Sequence, residues 1–274
     1  MIIGIDIGST TTKAVSLEEG RLAKKIKTRA EDAVTSATGA FGKMLLENGI
    51  KMTEIRRIMI TGAGATKIEG DLFGIPTEKV NEISAIGTGA MFLSGQDNIV
   101  IANIGTGTAI IEARKDRIIH LGGSGVGGGT IRGLAKKILS LSDFKDIMEL
   151  AASGSLDPVD LLLEDIMGMD LSFLNKKSTA SNFGKMLDTA RNEDLALGII
   201  NMVYEVIGMM AVFAARSRNI SKVIVTGSGS HNPLGQRVLS DITRMHSIAF
   251  EYPDNAEFTT AVGAGLLSDI KPPA

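Results

Sequence analysis

The chain contains no cysteine, little histidine and no excess of basic residues, and each shortage excludes a class of function. Without cysteine there can be no disulfides, iron–sulfur clusters or thiolate zinc sites. The three histidines are scattered and lack metal-ligand spacing. With 29 Lys and Arg against 31 Asp and Glu, the chain lacks the basic surplus typical of nucleic-acid binding. We therefore expect no nucleic-acid partner.

A charge-free apolar run of membrane-spanning length is also missing. The most apolar stretch, residues 198–215, contains Asn201 and Glu205 and is followed by Arg216. A membrane span would be nearly free of charge over about 20 residues, so a buried helix is expected instead. The N-terminus opens directly into an apolar strand pattern and shows no signal peptide. These features predict a cytoplasmic protein with no membrane partner.

The first seventeen residues predict a strand, a tight turn and a second strand. Residues 2–7 are apolar except for Asp6, and a carboxylate at the end of a buried strand requires a partner such as a cation. Gly8 permits close approach of a ligand, and Lys13 adds a positive charge. The turn between them supplies amides and hydroxyls that can donate to phosphate oxygens, from Ser9, Thr10, Thr11 and Thr12. An ordinary β-hairpin with a hydroxyl-rich turn is the alternative at this stage.

The same pattern returns at residues 99–111. Asn103 stands where Asp6 stood, and the turn that follows is Gly105, Thr106, Gly107 and Thr108. Two such turns resemble the actin, sugar-kinase and chaperone-ATPase superfamily. That resemblance implies an α/β protein with two ribonuclease H-like lobes of the actin-like ATPase fold around a nucleotide cleft. The lobes are expected at 1–96 and 97–274, because residues 95–98 form the polar turn between the repeats.

A glycine-rich loop is the most specific local signal. Six of the eight residues at 122–129 are glycine, and an amphipathic helix pattern follows. Glycines that lead into a helix N-terminus form a suitable anion site. The loop lacks the Gly-Lys-Ser/Thr ending of the Walker motif. By contrast, Gly-Ala-Gly-Ala at 62–65 is expected to be a plain turn rather than an anion site.

The remaining periodicity predicts most of the secondary structure. Strands are expected at 21–28, 55–61, 117–121, 222–227 and 248–252, and helices at 30–48, 86–93, 131–141, 144–152, 159–167, 193–218 and 259–269, with a further helix starting at 233. Residues 178–184 are expected to form a loop. The methionines of the longest helix, together with Phe213, are expected in the core or at a subunit contact.

Several motifs in order resemble type II pantothenate kinases. They are Asn-Ile-Gly-Thr-Gly-Thr at 103–108, the 122–129 loop, Thr-Ala-Ser-Asn-Phe-Gly at 179–184, Gly-Ser-Gly-Ser-His-Asn at 227–232, and Asn-Ala-Glu-Phe at 255–258 with Gly-Ala at 263–264. The resemblance covers residues 1–268. It implies an ATP-dependent kinase that phosphorylates the primary hydroxyl of pantothenate in the first step of coenzyme A biosynthesis.

The resemblance also implies roles for particular residues. Mg²⁺ would sit near Asp6. The phosphates would be cradled by the first hairpin, by the second around Thr106, and by the amides of Gly127, Gly128 and Gly129. The adenosine would lie at the turn containing Gly227, Ser228 and Ser230. The family is usually dimeric, so a homodimer is expected.

Glu82 has two interpretations. Its place between a strand and a helix suits an acid that stabilises a helix N-terminus. The resemblance favours the other interpretation, a catalytic carboxylate that orients the substrate hydroxyl and accepts its proton. Glu257 is the main rival for that role. Glu112, Asp116 and Asp143 are expected to be solvated.

Substrate contacts are expected from Glu82, Asn103, His120 and Arg132. Type II pantothenate kinases carry an Arg at the position of His120, and only Arg is always charged and able to bind a carboxylate through two parallel bonds. Arg117 cannot replace it, because three residues along a strand point to opposite faces. Either Arg132 or another group binds the pantothenate carboxylate, or the substrate lacks one.

Three alternatives come into consideration, and the third is excluded. The first is a kinase for a related hydroxyl compound such as pantetheine. The second, a nucleotide-binding regulator without turnover, is compatible with the same motifs. The third resembles the ATPase activators of 2-hydroxyacyl-CoA dehydratases, whose opening motif is similar to residues 6–13. Those activators hold a cysteine-bound iron–sulfur cluster, which a chain without cysteine cannot bind.

Overall fold

The computed structural model describes residues 1–29, 32–166 and 178–269. The strands are β1 (Ile2–Ile7), β2 (Thr11–Glu18), β3 (Arg21–Arg29), β4 (Arg57–Thr61), β5 (Thr77–Lys79), β6 (Asn98–Ile104), β7 (Thr108–Arg114), β8 (Arg117–Ser124), β9 (Leu161–Leu162), β10 (Thr179–Ser181), β11 (Lys222–Thr226) and β12 (Ala249–Glu251). The helices are α1 (Ala33–Asn48), α2 (Glu82–Ser94), α3 (Gly128–Leu139), α4 (Phe144–Ala151), α5 (Leu163–Ile166), α6 (Asn192–Ser217), α7 (Pro233–His246) and α8 (Thr259–Leu266).

Two mixed sheets share one topology. The first has the strand order β3-β2-β1-β4-β5 and the second has the order β8-β7-β6-β11-β12. In each sheet the first three strands in chain order form an antiparallel meander. Two further strands, parallel to the central strand, complete the other side. The duplication predicted from the hairpin sequences therefore extends to the whole sheet. Asp6 pairs with Thr61 in the first sheet, and Asn103 pairs with Thr226 in the second.

The two sheets are separated by a pair of helices. Helix α8 packs on β1, β2 and β4 of the first sheet, while α2 packs on β6, β7 and β8 of the second. Helix α1 covers the other face of the first sheet, where Phe41 and Met44 belong to the same buried core cluster as Ile3 and Ile5. Because α8 returns from the end of the chain to the first sheet, the division into lobes at residue 96 stays a prediction.

Glycines allow α2 and α8 to cross at backbone distance. A Cβ atom on Gly89 would collide with the carbonyl oxygen of Thr259, and one on Gly263 would collide with that of Ala85. Gly4 allows β1 the same close approach to the carbonyl of Ala261. Both carbonyls at the helix crossing belong to backbone, which cannot rotate away as a side chain can. The contact between the layers therefore depends on glycine at these positions.

Helix α6 forms the centre of the second core. It packs against α3, α4 and α7 and against the face of the second sheet that α2 does not cover. Among the described residues, α6 is the helix with the length and composition of a membrane span. However, 61% of its most apolar window is buried inside the fold, as expected for the buried helix that its polar residues predicted.

The predicted helix at 159–167 and the loop at 178–184 are wrong in the described residues. Residues 161–162 form a short strand that pairs with β10, and a helix begins only at Leu163. The buried Asp160 carboxylate explains the difference, because it accepts bonds from the backbone N–H of Phe183 at 2.8 Å and from Asn201 at 2.9 Å. Residues 30 and 167, which bounded two predicted helices, lie outside the described residues.

The expectation that Glu112 is solvated is also wrong. Its side chain is fully buried on β7, and its carboxylate lies 2.7 Å from Arg114 Nε and 3.1 Å from Arg218 Nε. Arg117 is 3.6 Å away. A buried carboxylate needs such compensation, and Arg117 therefore has a structural partner of its own. Asp116 and Asp143 are exposed, as expected.

Replacing Gly263 by Ala should disrupt the crossing of α2 and α8. The added methyl group meets backbone rather than a movable side chain, so we expect a loss of about 3 kcal/mol or more in the free energy of unfolding. Gly133→Ala is the matched control, because it lies in α3 with no heavy atom within 4 Å of its Cβ position. That variant should gain up to about 1 kcal/mol. Urea unfolding of both measures the difference, and equal stabilities would contradict the account.

Candidate active site

The site begins with a buried carboxylate at the end of β1. Asp6 lies opposite Lys13 in the β1–β2 ladder, and its Oδ2 atom is 3.9 Å from Lys13 Nζ. Burial raises the pKa of Asp6 to about 6, with Lys13 opposing the rise and Glu82 adding to it. Burial also lowers the pKa of Lys13, while Asp6 and the nearby acids oppose that effect. The buried charges compensate one another incompletely, and a cation at Asp6 would improve the balance.

The turns of the two hairpins touch. Ser9 Oγ is 2.8 Å from Thr106 Oγ1, and Thr10 Oγ1 is 3.3 Å from the same atom. Gly8 keeps the first turn tight, since a Cβ there would lie 2.8 Å from the Thr11 carbonyl oxygen. The structure thus brings together the two hydroxyl-bearing turns that the sequence singled out, one from each sheet.

The glycine-rich loop packs against the second turn. The backbone N–H groups of Gly128 and Gly129 donate to the carbonyls of Gly105 and Thr106, each at 2.9 Å. The N–H of Gly127 donates to Thr130 Oγ1 at 3.2 Å. These amides already have partners, so a phosphate could bind them directly only by displacing those bonds. Their contribution as the structure stands is to place the N-terminus of α3 beside the turn.

The glycine turns that follow β4 and β11 are equivalent. Gly62 and Gly227 both have positive φ, at 88° and 81°, and each opens a short 3-10 helix. A Cβ on Gly62 would lie 2.6 Å from Asp6 Oδ1, and one on Gly227 would lie 3.0 Å from Asn103 Oδ1. Each turn therefore lies directly against the polar residue at the end of the central strand of its own sheet.

The second of these turns satisfies its own polar groups. Asn103 Oδ1 accepts from Thr226 Oγ1 at 2.9 Å, which fixes the orientation of the Asn103 side chain. Ser230 is buried and donates to the carbonyl of Gly227 at 2.7 Å, whereas Ser228 is exposed. Ser230 thus supports the shape of the turn, and Ser228 is the hydroxyl available to a ligand.

Glu82 lies in the same cleft as Asp6 and Lys13. It is the first residue of α2, and protein surrounds it closely enough for desolvation to raise its pKa, with Lys13 opposing the rise. The helix cap is supplied instead by Asn81, whose side chain accepts from the Ser84 N–H at 3.0 Å. Glu82 therefore has no capping bond to make, although its side chain remains accessible to solvent.

Two other predicted substrate residues, His120 and Arg132, are exposed. His120 is exposed on β8, and its neighbour Ile118 packs against Gly87 of α2, so His120 and Ile118 share the face of the sheet that α2 covers. Arg132 is exposed on α3, next to the buried Ile131. Contacts between either residue and a substrate stay predictions.

One site residue, Lys27, was not assigned from the sequence. Lys27 lies beside Lys13 in the β2–β3 ladder, and its Nζ is 2.7 Å from Glu257 Oε2. The sequence signal was available, because Lys25 and Lys27 are two apart on a predicted strand and must share a face. Only the register of the sheet shows that this face is the one that carries Asp6.

The donors near Asp6 suit a magnesium ion better than a transition metal. The described residues contain no group of three or more His, Asp or Glu side chains that could hold a metal between them. Mg²⁺ binds through one or two carboxylates and completes its shell with waters and phosphate oxygens. A single buried carboxylate beside hydroxyl-bearing turns fits that preference.

Comparison with known proteins identifies the relatives. The family model described as Fumble matches residues 98–249. A type II pantothenate kinase from Bacillus cereus (strain AH820) is 31% identical over 283 residues, covering 98% of this chain and 98% of the relative.

Solved structures of similar fold include an activator of the 2-hydroxyisocaproyl-CoA dehydratase from Clostridium difficile with bound ADPNP. It has a TM-score of 0.70 and 18% identity, covering 97% of this chain and 93% of its own. A ROK family glucokinase from Streptomyces griseus in complex with glucose and AMPPNP has a TM-score of 0.59 and 16% identity, covering 97% and 98%. At these identities the structures show the fold alone, and they confirm the predicted actin-like ATPase fold.

Asp6→Asn should stabilise the protein at neutral pH when no divalent cation is present. The folded pKa of about 6 lies above the ordinary value of 3.8, so protonated Asp6 stabilises the fold below about pH 4. This contribution is lost as the pH rises through 6. Asparagine cannot ionise, and the variant should gain roughly 3 kcal/mol over the wild type at pH 7 and almost nothing at pH 4.

Urea unfolding at both pH values, in the presence of a chelator, measures this difference. The control is Asp116→Asn, which removes an exposed carboxylate and should leave stability nearly unchanged at both. A wild type as stable as Asp6→Asn at pH 7 would show that the carboxylate is well compensated without a cation.

Proposed function

The chain belongs to the type II pantothenate kinase family, and from this premise we propose that it transfers the γ-phosphoryl group of ATP to the primary hydroxyl of pantothenate, the first step of coenzyme A biosynthesis. The observation that carries the proposal is the 31% identity over 98% of the chain. The cluster of Asp6, Lys13 and Glu82 beside the touching turns supports it. Phosphoryl transfer requires positioning and charge neutralisation more than covalent chemistry, and this cluster supplies both.

The two sheets contribute different groups toward ATP. Lys13 and the hydroxyls of Ser9, Thr10 and Thr106 lie where the hairpins meet, and they bind the phosphates. The positive end of α3 adds a favourable field at the same place. The Gly227 turn, with its exposed Ser228, takes the adenosine side. The resemblance to the family supports this division, and the arrangement of the turns is compatible with it, since each hairpin is backed by its own glycine turn.

Asp6 holds Mg²⁺, which when bound neutralises charge on the phosphates. The incomplete compensation of the buried carboxylate by Lys13 at 3.9 Å supports this assignment. Asp6→Asn therefore abolishes turnover even though it stabilises the fold. Activity and stability are opposed at this residue, as is common where a buried charge serves function.

Glu82 acts on the other substrate. An alcohol is a weak nucleophile, and a carboxylate within hydrogen-bond reach can orient the hydroxyl and accept its proton. Desolvation by the cleft raises the pKa of Glu82, which makes its carboxylate a stronger base than a free glutamate. Glu257 is less suited to this role, because Lys27 already occupies its carboxylate at 2.7 Å.

The protein is further proposed to act in the cytoplasm as a homodimer. Phe213 is 61% exposed on α6, and Met210 on the same helix is only partly buried. Together with Leu121 they line a groove of about 320 Å³ at the surface. An apolar surface of this kind supports a subunit contact there, as the methionine-rich helix suggested from sequence.

A dehydratase-activator function is not supported despite the shared fold. The activator from Clostridium difficile is 18% identical to this chain, which shows the fold alone. The sequence contains no cysteine. A cysteine-bound cluster, which the activator resemblance would require, has no ligands here.

The identity of the substrate is tested through His120. The site lacks a fixed positive charge at this position, so a compound without a carboxylate, such as pantetheine, is the second candidate. ADP release is measured with pantothenate, with pantetheine and with no acceptor, in the wild type and in His120→Ala. If His120 alters substrate handling, pantetheine should be a comparable substrate and the ratio of the two should change in the variant.

A strong preference for pantothenate that is unchanged in His120→Ala would show that His120 has no such role. No release of ADP with either acceptor would point instead to a nucleotide-binding regulator without turnover, and release that needs no acceptor would show ATP hydrolysis rather than a kinase reaction. His120→Arg provides the matched control, since it restores the positive charge and should favour pantothenate.

Glu82→Gln should reduce kcat by about 10²–10⁴-fold while ATP binding changes little. The amide keeps the size of the side chain but cannot accept the proton. Asn81→Ala is the control at the neighbouring position, because it removes the helix cap and should lower stability by about 1 kcal/mol without changing the rate per folded molecule. A Glu82→Gln protein that melts earlier and turns over normally would assign Glu82 to helix stability instead.

A further inference from the structure

A row of charged residues crosses the first sheet on its cleft face. Asp6 pairs with Lys13 across β1 and β2, and Lys13 pairs with Lys27 across β2 and β3. These residues lie on the face that α8 covers, because Gly4, two positions before Asp6, contacts Ala261 of that helix. Directly opposed like charges destabilise a sheet, so the two lysines need an acidic partner.

Glu257 supplies that partner from outside the sheet. Its Oε2 atom lies 2.7 Å from Lys27 Nζ, and the two side chains are 20% and 43% exposed. Although burial alone would raise the pKa of Glu257, Lys27, His231 and Lys13 together hold it below its usual value. The carboxylate is therefore the negative centre among three basic side chains, and only Lys27 is in direct contact with it in the described structure.

The same short turn is attached to β3 at a second point. Lys25 donates from Nζ to Asn255 Oδ1, and the ammonium group lies 5.5 Å from the centre of the Phe258 ring. Lys25 and Lys27 project from one face of β3, and together they contact three of the four residues of the segment 255–258. A strand of the first sheet thus holds a segment that leads into α8.

This segment in turn supports the Gly227 turn. The carbonyl of Ala256, between Asn255 and Glu257, accepts the backbone N–H of Gly227 at 2.9 Å. Asn255 has a left-handed backbone conformation with φ of 62°, which asparagine adopts more readily than most residues other than glycine. Any movement of the segment would therefore shift the turn proposed to take the adenosine.

We propose that Glu257 is a positioning residue for the nucleotide, which through its ion pair with Lys27 ties β3 of the first sheet to the segment 255–258 and so fixes the Gly227 turn of the second. The inference rests on the proposed function only for the identity of the nucleotide. It assigns to Glu257 a role different from proton transfer. It also means that β3, an edge strand, contributes to the site by holding the segment 255–258.

A double-mutant cycle on ADP binding tests the pair. Glu257→Gln and Lys27→Met should each weaken ADP binding by roughly tenfold, measured by titration calorimetry. Because each substitution breaks the same ion pair, the double variant should bind ADP no more weakly than either single variant. Glu149→Gln, which breaks the exposed Lys145–Glu149 pair on α4, is the matched control and should leave ADP affinity unchanged.

Steady-state kinetics separate positioning from simple destabilisation. The KM for ATP should rise in Glu257→Gln while the KM for the acceptor and kcat change little, at temperatures where thermal unfolding shows the variant folded. The charge-swapped protein Lys27→Glu/Glu257→Lys should recover part of the ADP affinity. If a single variant fails to fold, the ADP affinity of this charge-swapped protein still tests the ion pair.

Additive losses in the cycle, an unchanged ADP affinity, or a wild type that does not bind ADP would overturn the proposal. A wild type that binds ADP but does not phosphorylate pantothenate would instead overturn the proposed function. In that case the double-mutant cycle on ADP binding would still test whether Glu257 and Lys27 act together in positioning the nucleotide.

Discussion

The structure of the site depends on the burial of one carboxylate. Asp6 is the penultimate residue of the central strand of the first sheet, and removal from water raises its pKa to about 6. Its neighbours accommodate the buried carboxylate. Lys13 Nζ lies 3.9 Å from Asp6 Oδ2, and Gly62 leaves room for the carboxylate, since a Cβ there would lie 2.6 Å from Asp6 Oδ1. Ionised in a partly compensated site, Asp6 favours a bound cation. The charge that destabilises the fold at neutral pH is thus the one that we propose to bind the magnesium nucleotide.

Duplication provides the rest of the cleft but not a second charge. Both sheets end their central strand in a polar residue, a glycine–hydroxyl turn and an adjacent glycine turn with positive φ. In the second copy the polar residue is Asn103, whose side chain is fixed by Thr226 at 2.9 Å. An amide needs no cation, so the second copy can present a neutral turn. This single difference is consistent with the proposed asymmetry between a phosphate side and an adenosine side.

Local patterns in the sequence predicted the elements that are determined by residues close together in the chain. The hairpins, α1 with its stop at Gly49 and the long helix α6 all follow from periodicity and turn residues. The wrong predictions concern segments whose structure or burial depends on contacts with residues elsewhere in the chain. Asp160 binds the N–H of Phe183 and holds residues 178–184 against β9, and three arginines allow Glu112 to be buried. Lys27 was missed because only sheet register shows that it lies beside Lys13.

The central claim, that the cleft transfers phosphate from ATP to pantothenate, is tested most directly by following the phosphorus atom. Phosphorus NMR of the protein with ATP, Mg²⁺ and pantothenate should show a new phosphomonoester signal that grows in equal amount with ADP. The signal should be absent without pantothenate. Appearance of inorganic phosphate as the sole product, or ADP formation that does not depend on pantothenate, would contradict the account.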